Sequence, residues 1–271
     1  MFFSPGEITG VSAVRINSLS IPHVVRNGTE ESVILDCDYS IEDHEKKGLV
    51  VKWYFSNQAS PVYQWIPNSK PISLGILKGK LNLDFEADLD NYKMKRALQI
   101  IRPTTELSGN WMCQVSTFEG EAMKASRMIV YAPEKEMEMK VVENRRGGFV
   151  NVSCWATRVF PKPEMTFFYE AEQQVPGVTI RYEEYDGAYD VTAYKVIEDT
   201  TLSSMIGTVF ECELAIPYTS YVRRRSTVFE PGSLELKDAM RMSIGQPRVS
   251  LDMTRLLLPI TIFTMAYFSL H

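Results

Sequence analysis

Three stretches of this chain alternate apolar and polar residues with a period of two, and each contains a cysteine or a tryptophan. Val33, Leu35 and Cys37 fall on one face of the first, Val51, Trp53 and Phe55 on one face of the second, and Trp111, Cys113 and Val115 on one face of the third. Successive side chains of a strand point to opposite faces of its sheet, so each stretch predicts a half-buried β-strand with its inward phase fixed. Three such faces can close around one disulfide and one indole.

A similar set recurs downstream. Val150, Val152 and Cys154 share a face, as do Phe210 and Cys212, and Phe167 and Phe168 lie between them in the chain. The interval from Cys37 to Cys113 is 76 residues, and that from Cys154 to Cys212 is 58. A tryptophan packed on a bridge between two antiparallel sheets is the core of an immunoglobulin sandwich, and the longer interval leaves room for the two extra strands of a variable-type domain. The shorter one suits a constant-type domain, with Phe167 or Phe168 in place of the strand C tryptophan. The predicted fold class is all-β, two tandem immunoglobulin-like sandwiches, variable-type then constant-type, with a C-terminal hydrophobic tail.

Four cysteines allow three connectivities, of which two separate domains select Cys37 with Cys113 and Cys154 with Cys212. Two positions depart from the variable-type pattern. Trp111 occupies the place of the usual corner tyrosine, so an indole N–H must replace the phenol hydroxyl. Leu107 stands where many such domains carry the aspartate of an Arg–Asp bridge.

Length and charge fit this organisation. A chain of 271 residues predicts about two domains. Expected boundaries are 16–132 for the first and 133–231 for the second, with the junction at Tyr131-Ala-Pro133, since proline cannot continue a central strand. Residues 1–15 are expected to lie outside the fold. They lack a basic n-region and an apolar run, so no signal peptide is read there, and one is expected to be encoded elsewhere. Paired cysteines imply an oxidising compartment. A net charge of −5 argues against a nucleic-acid surface, and Arg223-Arg224-Arg225 reads as an exposed strand edge.

Candidate site residues follow from phase. Trp53 and Cys113 point inward, so Lys52 and Tyr54 on one strand and Met112, Gln114 and Ser116 on the other should share a solvent-facing surface, with the composition of a protein-binding patch. The next strand, within Pro61–Pro67, exposes either Tyr63 and Trp65 or Val62, Gln64 and Ile66. The candidate contact set is Lys52, Tyr54, Tyr63, Trp65, Met112 and Gln114. Asn27-Gly-Thr29 and Asn151-Val-Ser153 are glycosylation sequons, and Asn151 is out of phase with Cys154, hence outward.

Catalysis is not expected. The histidines are His23, His44 and His271, and no G-x-S-x-G, phosphate loop or H-E-x-x-H occurs. No cofactor, metal site or small-molecule substrate is expected either. The acidic run Glu183, Glu184, Asp186 and Asp190 lacks the spacing and glycine of a calcium loop and reads as a solvated strand face.

Beyond Gly232 the strand pattern stops, and residues 232–255 read as a polar stalk. Leu256 to Leu270 is uncharged and apolar. Fifteen residues at about 1.5 Å each reach about 22 Å, short of the roughly 30 Å hydrocarbon core. Small residues at Ser243 and Gly245, a polar spacer and an apolar tail fit a glycolipid attachment signal, with Ser243 the expected site, Gly245 and Ser250 alternatives, and a short transmembrane anchor the competing form.

The runs Val51-Lys-Trp-Tyr-Phe55, Pro61-Val-Tyr-Gln-Trp-Ile-Pro67 and Ser108-Gly-Asn-Trp-Met-Cys-Gln-Val-Ser116 resemble the first domain of insect beaten path-type receptors. The resemblance covers residues 20–131. It implies a cell-surface recognition or adhesion protein of axon guidance, whose first domain binds another immunoglobulin-family receptor through this face. Alternatives are a secreted or shed modulator of adhesion, or an immune co-receptor of the B7 type.

Overall fold

The computed structural model describes residues 14–144, 148–170, 173–198, 207 and 209–229. Within them the chain forms two tandem immunoglobulin-like β-sandwiches, each around its own hydrophobic core.

The first sandwich contains β1 (Val14–Ser20), β2 (Val24–Arg26), β3 (Ser32–Ile41), β4 (Val50–Phe55), β5 (Tyr63–Trp65), β6 (Ile72–Ser73), β7 (Leu98–Ile101), β8 (Gly109–Ser116) and β9 (Glu121–Tyr131). One sheet runs β1-β3-β7 and the other β2-β9-β8-β4-β5-β6. β5 and β6 are the two added strands of the variable type. β2 pairs parallel with β9, and the remaining pairings here are antiparallel.

The alternation read from sequence sets the core. Leu35, Cys37, Trp53, Trp111 and Cys113 are fully buried, and Cys37 is bonded to Cys113 across the sheets. Register explains the meeting, because Trp53 lies opposite Cys113 and Phe55 opposite Trp111. The two rings of the latter pair sit 4.7 Å apart, a tilted aromatic contact adding about 0.5–1.5 kcal/mol beyond its buried area. Val14 is buried and paired with Ile41, so this sandwich begins ahead of the expected boundary at residue 16.

An irregular segment from Asp84 to Arg96 takes the place of a regular strand between β6 and β7. Three aromatic side chains fasten it by their polar tips. The Trp53 indole donates to the Arg96 carbonyl at 3.1 Å, the Tyr63 hydroxyl to the Lys95 carbonyl at 2.7 Å, and the Tyr39 hydroxyl to the Tyr92 carbonyl. Buried backbone carbonyls need such partners. The Arg96 guanidinium then crosses to β3, reaching both oxygens of Asp36 at 2.9 and 3.2 Å and Asp38 at 2.8 Å, and it also meets Asp88 of its own segment at 3.0 Å. Next to the position of the missing aspartate, Glu106 pairs with Lys80. Leu107 is fully buried instead, and its carbonyl accepts the Trp111 indole N–H.

The second sandwich contains β10 (Glu136–Asn144), β11 (Phe149–Val159), β12 (Glu164–Tyr169), β13 (Gln173–Gln174), β14 (Thr179–Tyr185), β15 (Ala188–Glu198), β16 (Val209–Ala215) and β17 (Val222–Val228). Its sheets run β10-β11-β15-β14 and β13-β12-β16-β17. Cys154 is bonded to Cys212. Phe167, opposite Cys212 in register, is the core aromatic, while Phe168 lies on the other face. At the junction the Tyr131 and Tyr221 rings are 5.9 Å apart, and the Tyr221 hydroxyl donates to the Glu134 carboxylate at 3.0 Å.

β17 is a sheet edge, and its arginines are matched by acceptors. Arg224 meets Glu213 at 2.6 Å and Glu211 at 3.1 Å, and Arg225 donates to the Met137 carbonyl. The stalk, the tail and Ser243, Gly245 and Ser250 lie outside the described residues. Among the described residues no helix is long and apolar enough to cross a membrane.

Candidate partner-binding face

The outer surface of β6-β5-β4-β8-β9 is built row by row from strand register. Lys52 lies between Gln64 and Gln114, Gln64 is followed by Ile72, and Gln114 by Met123. The adjoining row is Tyr54, Met112 and Ala125. Lys52, Tyr54, Met112 and Gln114 thus share one surface.

Tyr63 and Trp65 do not belong to it. Trp53 is opposite Tyr63 and Val51 opposite Trp65, so both aromatics share the inward phase of β4 and are buried. They are core residues, and the outward positions of this segment are Gln64 and Ile66. Periodicity leaves two phases open for a strand this short, and the pairing with β4 decides between them.

Three contributors were missed. Met123 and Ile72 are 50% and 52% exposed, and Phe118, at the turn between β8 and β9, is 83% exposed. No cysteine or tryptophan fixes the phase of β6 or β9, which hid the first two. The third stands on a glycine. Gly48 has φ +74°, and a Cβ there would come within 2.5 Å of the Phe118 ring, so the ring rests directly on that backbone.

Polar groups on the face are ordered by a relay. The Tyr54 hydroxyl donates to Gln114 Oε1 at 2.8 Å, and Gln114 Nε2 donates to Glu121 at 2.7 Å. Desolvation by burial, followed by the Glu121 charge, raises the Tyr54 phenol. Beside it a cavity of 240 Å³ is lined by Tyr54, Asn57, Asn110, Met112, Ala125, Ser126 and Arg127. Apolar patches surrounding a few fixed hydrogen-bonding groups suit recognition of a protein surface.

The other candidates occupy separate places. Asn27 is exposed in the turn after β2, with Thr29 Oγ1 donating to the Arg26 carbonyl at 2.9 Å. Asn151 is outward on β11 but only half exposed. Glu183, Glu184 and Asp186 are exposed along or beside β14, and Asp190 accepts the Arg158 backbone N–H at 2.7 Å. His44, Glu45 and Glu119 bring ligand-type atoms within 4.8 Å of one another. The distance in sequence hid this trio, since Glu119 arrives from the β8–β9 turn. Glu45 is committed to the Glu42 backbone N–H at 2.8 Å, and His44 Nε2 lies 3.5 Å from the Glu119 carboxylate.

Fold and face together define a tandem variable-then-constant immunoglobulin-like protein with an ordered, partly apolar outer sheet surface. No family model matches the chain, and no curated protein sequence matches it. Among solved structures, bovine butyrophilin aligns at TM-score 0.61 and 14% identity, over 77% of this chain and 95% of that one. Rst D1-D2 aligns at TM-score 0.53 and 14% identity, over 81% and 99%. The full ectodomain (Ig1–Ig3) of mouse nectin-like molecule 4 aligns at TM-score 0.52 and 11% identity, over 78% and 66%. At these identities each likeness is one of fold.

Proposed function

We propose that this chain is an extracellular recognition protein that binds another immunoglobulin-family receptor through the outer face of β4, β5, β6, β8 and β9. The observation that carries this reading is the gathering of Tyr54, Met112, Ile72 and Met123 around the Lys52–Gln64–Gln114 row on one exposed sheet surface. Among the solved structures that share this fold, the nectin-like one is an ectodomain, which supports a cell-surface or secreted setting. So do two disulfides. The finer reading, a beaten path-type receptor in axon guidance, rests on the sequence runs around Trp53, Trp65 and Cys113. Membrane attachment, in turn, rests on the apolar run Leu256–Leu270, with glycolipid addition near Ser243.

The test is a binding screen of a multimerised ectodomain, residues 14–243, against cell-surface immunoglobulin proteins. Multimers raise avidity by roughly 10² to 10⁴ over weak single contacts. Tyr54→Arg, Met112→Arg and Gln114→Arg should each abolish a reproducible hit while leaving thermal stability unchanged. Binding that survives all three places the contact elsewhere. Release of the full chain from cells by a phosphatidylinositol-specific phospholipase tests the anchor, and complete retention after digestion argues for a transmembrane form.

A further inference from the structure

The outer face of β10-β11-β15-β14 also carries apolar groups, but with a different arrangement. Asn151 lies in register between Val142 on β10 and Val196 on β15. These two valines are 44% and 50% exposed. Directly opposite residues on neighbouring strands have Cβ atoms about 5 Å apart, so whatever is attached to Asn151 starts out in contact with both. The flanking rows add rings. Phe149 lies two residues before Asn151 on the same face, and Tyr194 pairs with Ser153 two residues after it.

The asparagine itself is poorly served by the protein. Asn151 Oδ1 is enclosed and accepts no hydrogen bond among the described residues, a position that ordinarily demands a partner. Asn151-Val-Ser153 is at the same time a sequon. A central strand is an unusual place for a bulky surface modification, unless the modification belongs to the face.

We infer that an N-linked glycan on Asn151 lies flat on this sheet, covers Val142 and Val196, and makes the face a shielded surface rather than a second docking site. Joined through Asn151 Nδ2, the first sugar starts beside both valines, and its C–H faces suit valine methyls and aromatic rings. Leaving the two valines bare would expose apolar sheet surface to self-association. The inference rests on the extracellular reading above, because glycosylation requires the secretory pathway, but it does not depend on which partner the first sandwich binds.

The experiment uses the full chain expressed through the secretory pathway of cultured cells. Variants are Asn151→Gln and Ser153→Ala, which destroy the sequon, Ser153→Thr, which keeps it, and Asn27→Gln, which removes only the other sequon. N-glycosidase digestion reports occupancy, while sedimentation and binding of an apolar dye report exposure. Wild type and Ser153→Thr should carry the Asn151 glycan and behave alike. Asn151→Gln and Ser153→Ala should sediment as dimers or larger and bind more dye, and adding Val142→Thr with Val196→Thr should reverse both effects. Asn27→Gln should leave them unchanged. An unmodified Asn151 in folded protein whose Asn27 is modified overturns the inference, as does a Ser153→Ala variant indistinguishable from wild type. If neither asparagine is modified, the extracellular reading falls together with it. Loss of receptor binding in the face variants of β4 and β8 alone bears on that reading and leaves this one standing.

Discussion

The indole N–H of Trp111 points at the carbonyl oxygen of Leu107, four positions earlier in the chain and 3.1 Å away. Both residues are fully buried, so this carbonyl has no water to turn to. Trp111→Phe keeps most of the ring's packing against Phe55 but orphans the oxygen. An unsatisfied buried acceptor costs about 1–3 kcal/mol. Chemical denaturation should show the loss in that range, with partner binding by the folded fraction intact. A change within experimental error would mean that this hydrogen bond contributes nothing to the corner.

That relationship was half legible. The position two residues before Cys113 identifies the corner, and a tryptophan there has one donor to offer, so the donor could be named from the sequence while the acceptor could not. The same holds across the molecule. Trp53, Cys37 and Cys113 fix the phase of their own strands and thereby place Tyr54, Met112 and Gln114 outward. β5 contains neither landmark in a fixed phase, and both of its alternations are apolar enough to be inward. Only its hydrogen-bonded register with β4 shows that Tyr63 and Trp65 belong to the core. Arg96 was silent for a different reason. Its β3 partners Asp36 and Asp38 become neighbours only when the irregular segment, which also holds Asp88, folds back over that strand, a tertiary event with no periodicity to announce it.

Phe118 and Gly48 offer a way to extend or bound the contact face. Phe118 is exposed at the β8–β9 turn, so Phe118→Ala should change stability by less than about 0.5 kcal/mol. If the partner reaches the turn, the same change should weaken binding by about 2 kcal/mol or more, the size of an interface hot spot. Gly48→Ala moves the ring without removing it, because the added Cβ occupies the space the ring uses. It should lower stability, through its positive φ, and reduce affinity in step with Phe118→Ala. Titration of both variants against the receptor, beside their melting curves, separates the two effects. Unchanged affinity in both confines the contact to the sheet.

Stability should fall on the alkaline side because of Tyr39 and Tyr63. Burial pushes both phenols well above their ordinary range, and each hydroxyl is spent on a carbonyl of the segment Tyr92–Lys95. The sign follows from linkage. A folded-state value above the unfolded one means that the folded protein holds the proton while the unfolded chain releases it, so the stabilisation is complete below about pH 10 and is lost as pH rises beyond it. Each shielded phenol contributes a slope of about 1.4 kcal/mol per pH unit in that window. Tyr63→Phe removes one of the two slopes and, by losing its hydrogen bond to Lys95, lowers stability at neutral pH by about 1 kcal/mol. Melting temperature measured from about pH 8 to about pH 11, a range that spans the free phenol value, should therefore hold up to about pH 10 and then decline, more steeply for wild type than for Tyr63→Phe. Tyr54→Phe should retain most of the wild-type decline, since that phenol lies on the outer face, where solvent takes up its charge more readily. Equal alkaline slopes in wild type, Tyr63→Phe and a Tyr39→Phe, Tyr63→Phe double variant would show that these hydroxyls ionise in the folded state and that the clamp on the Tyr92–Arg96 segment is not closed.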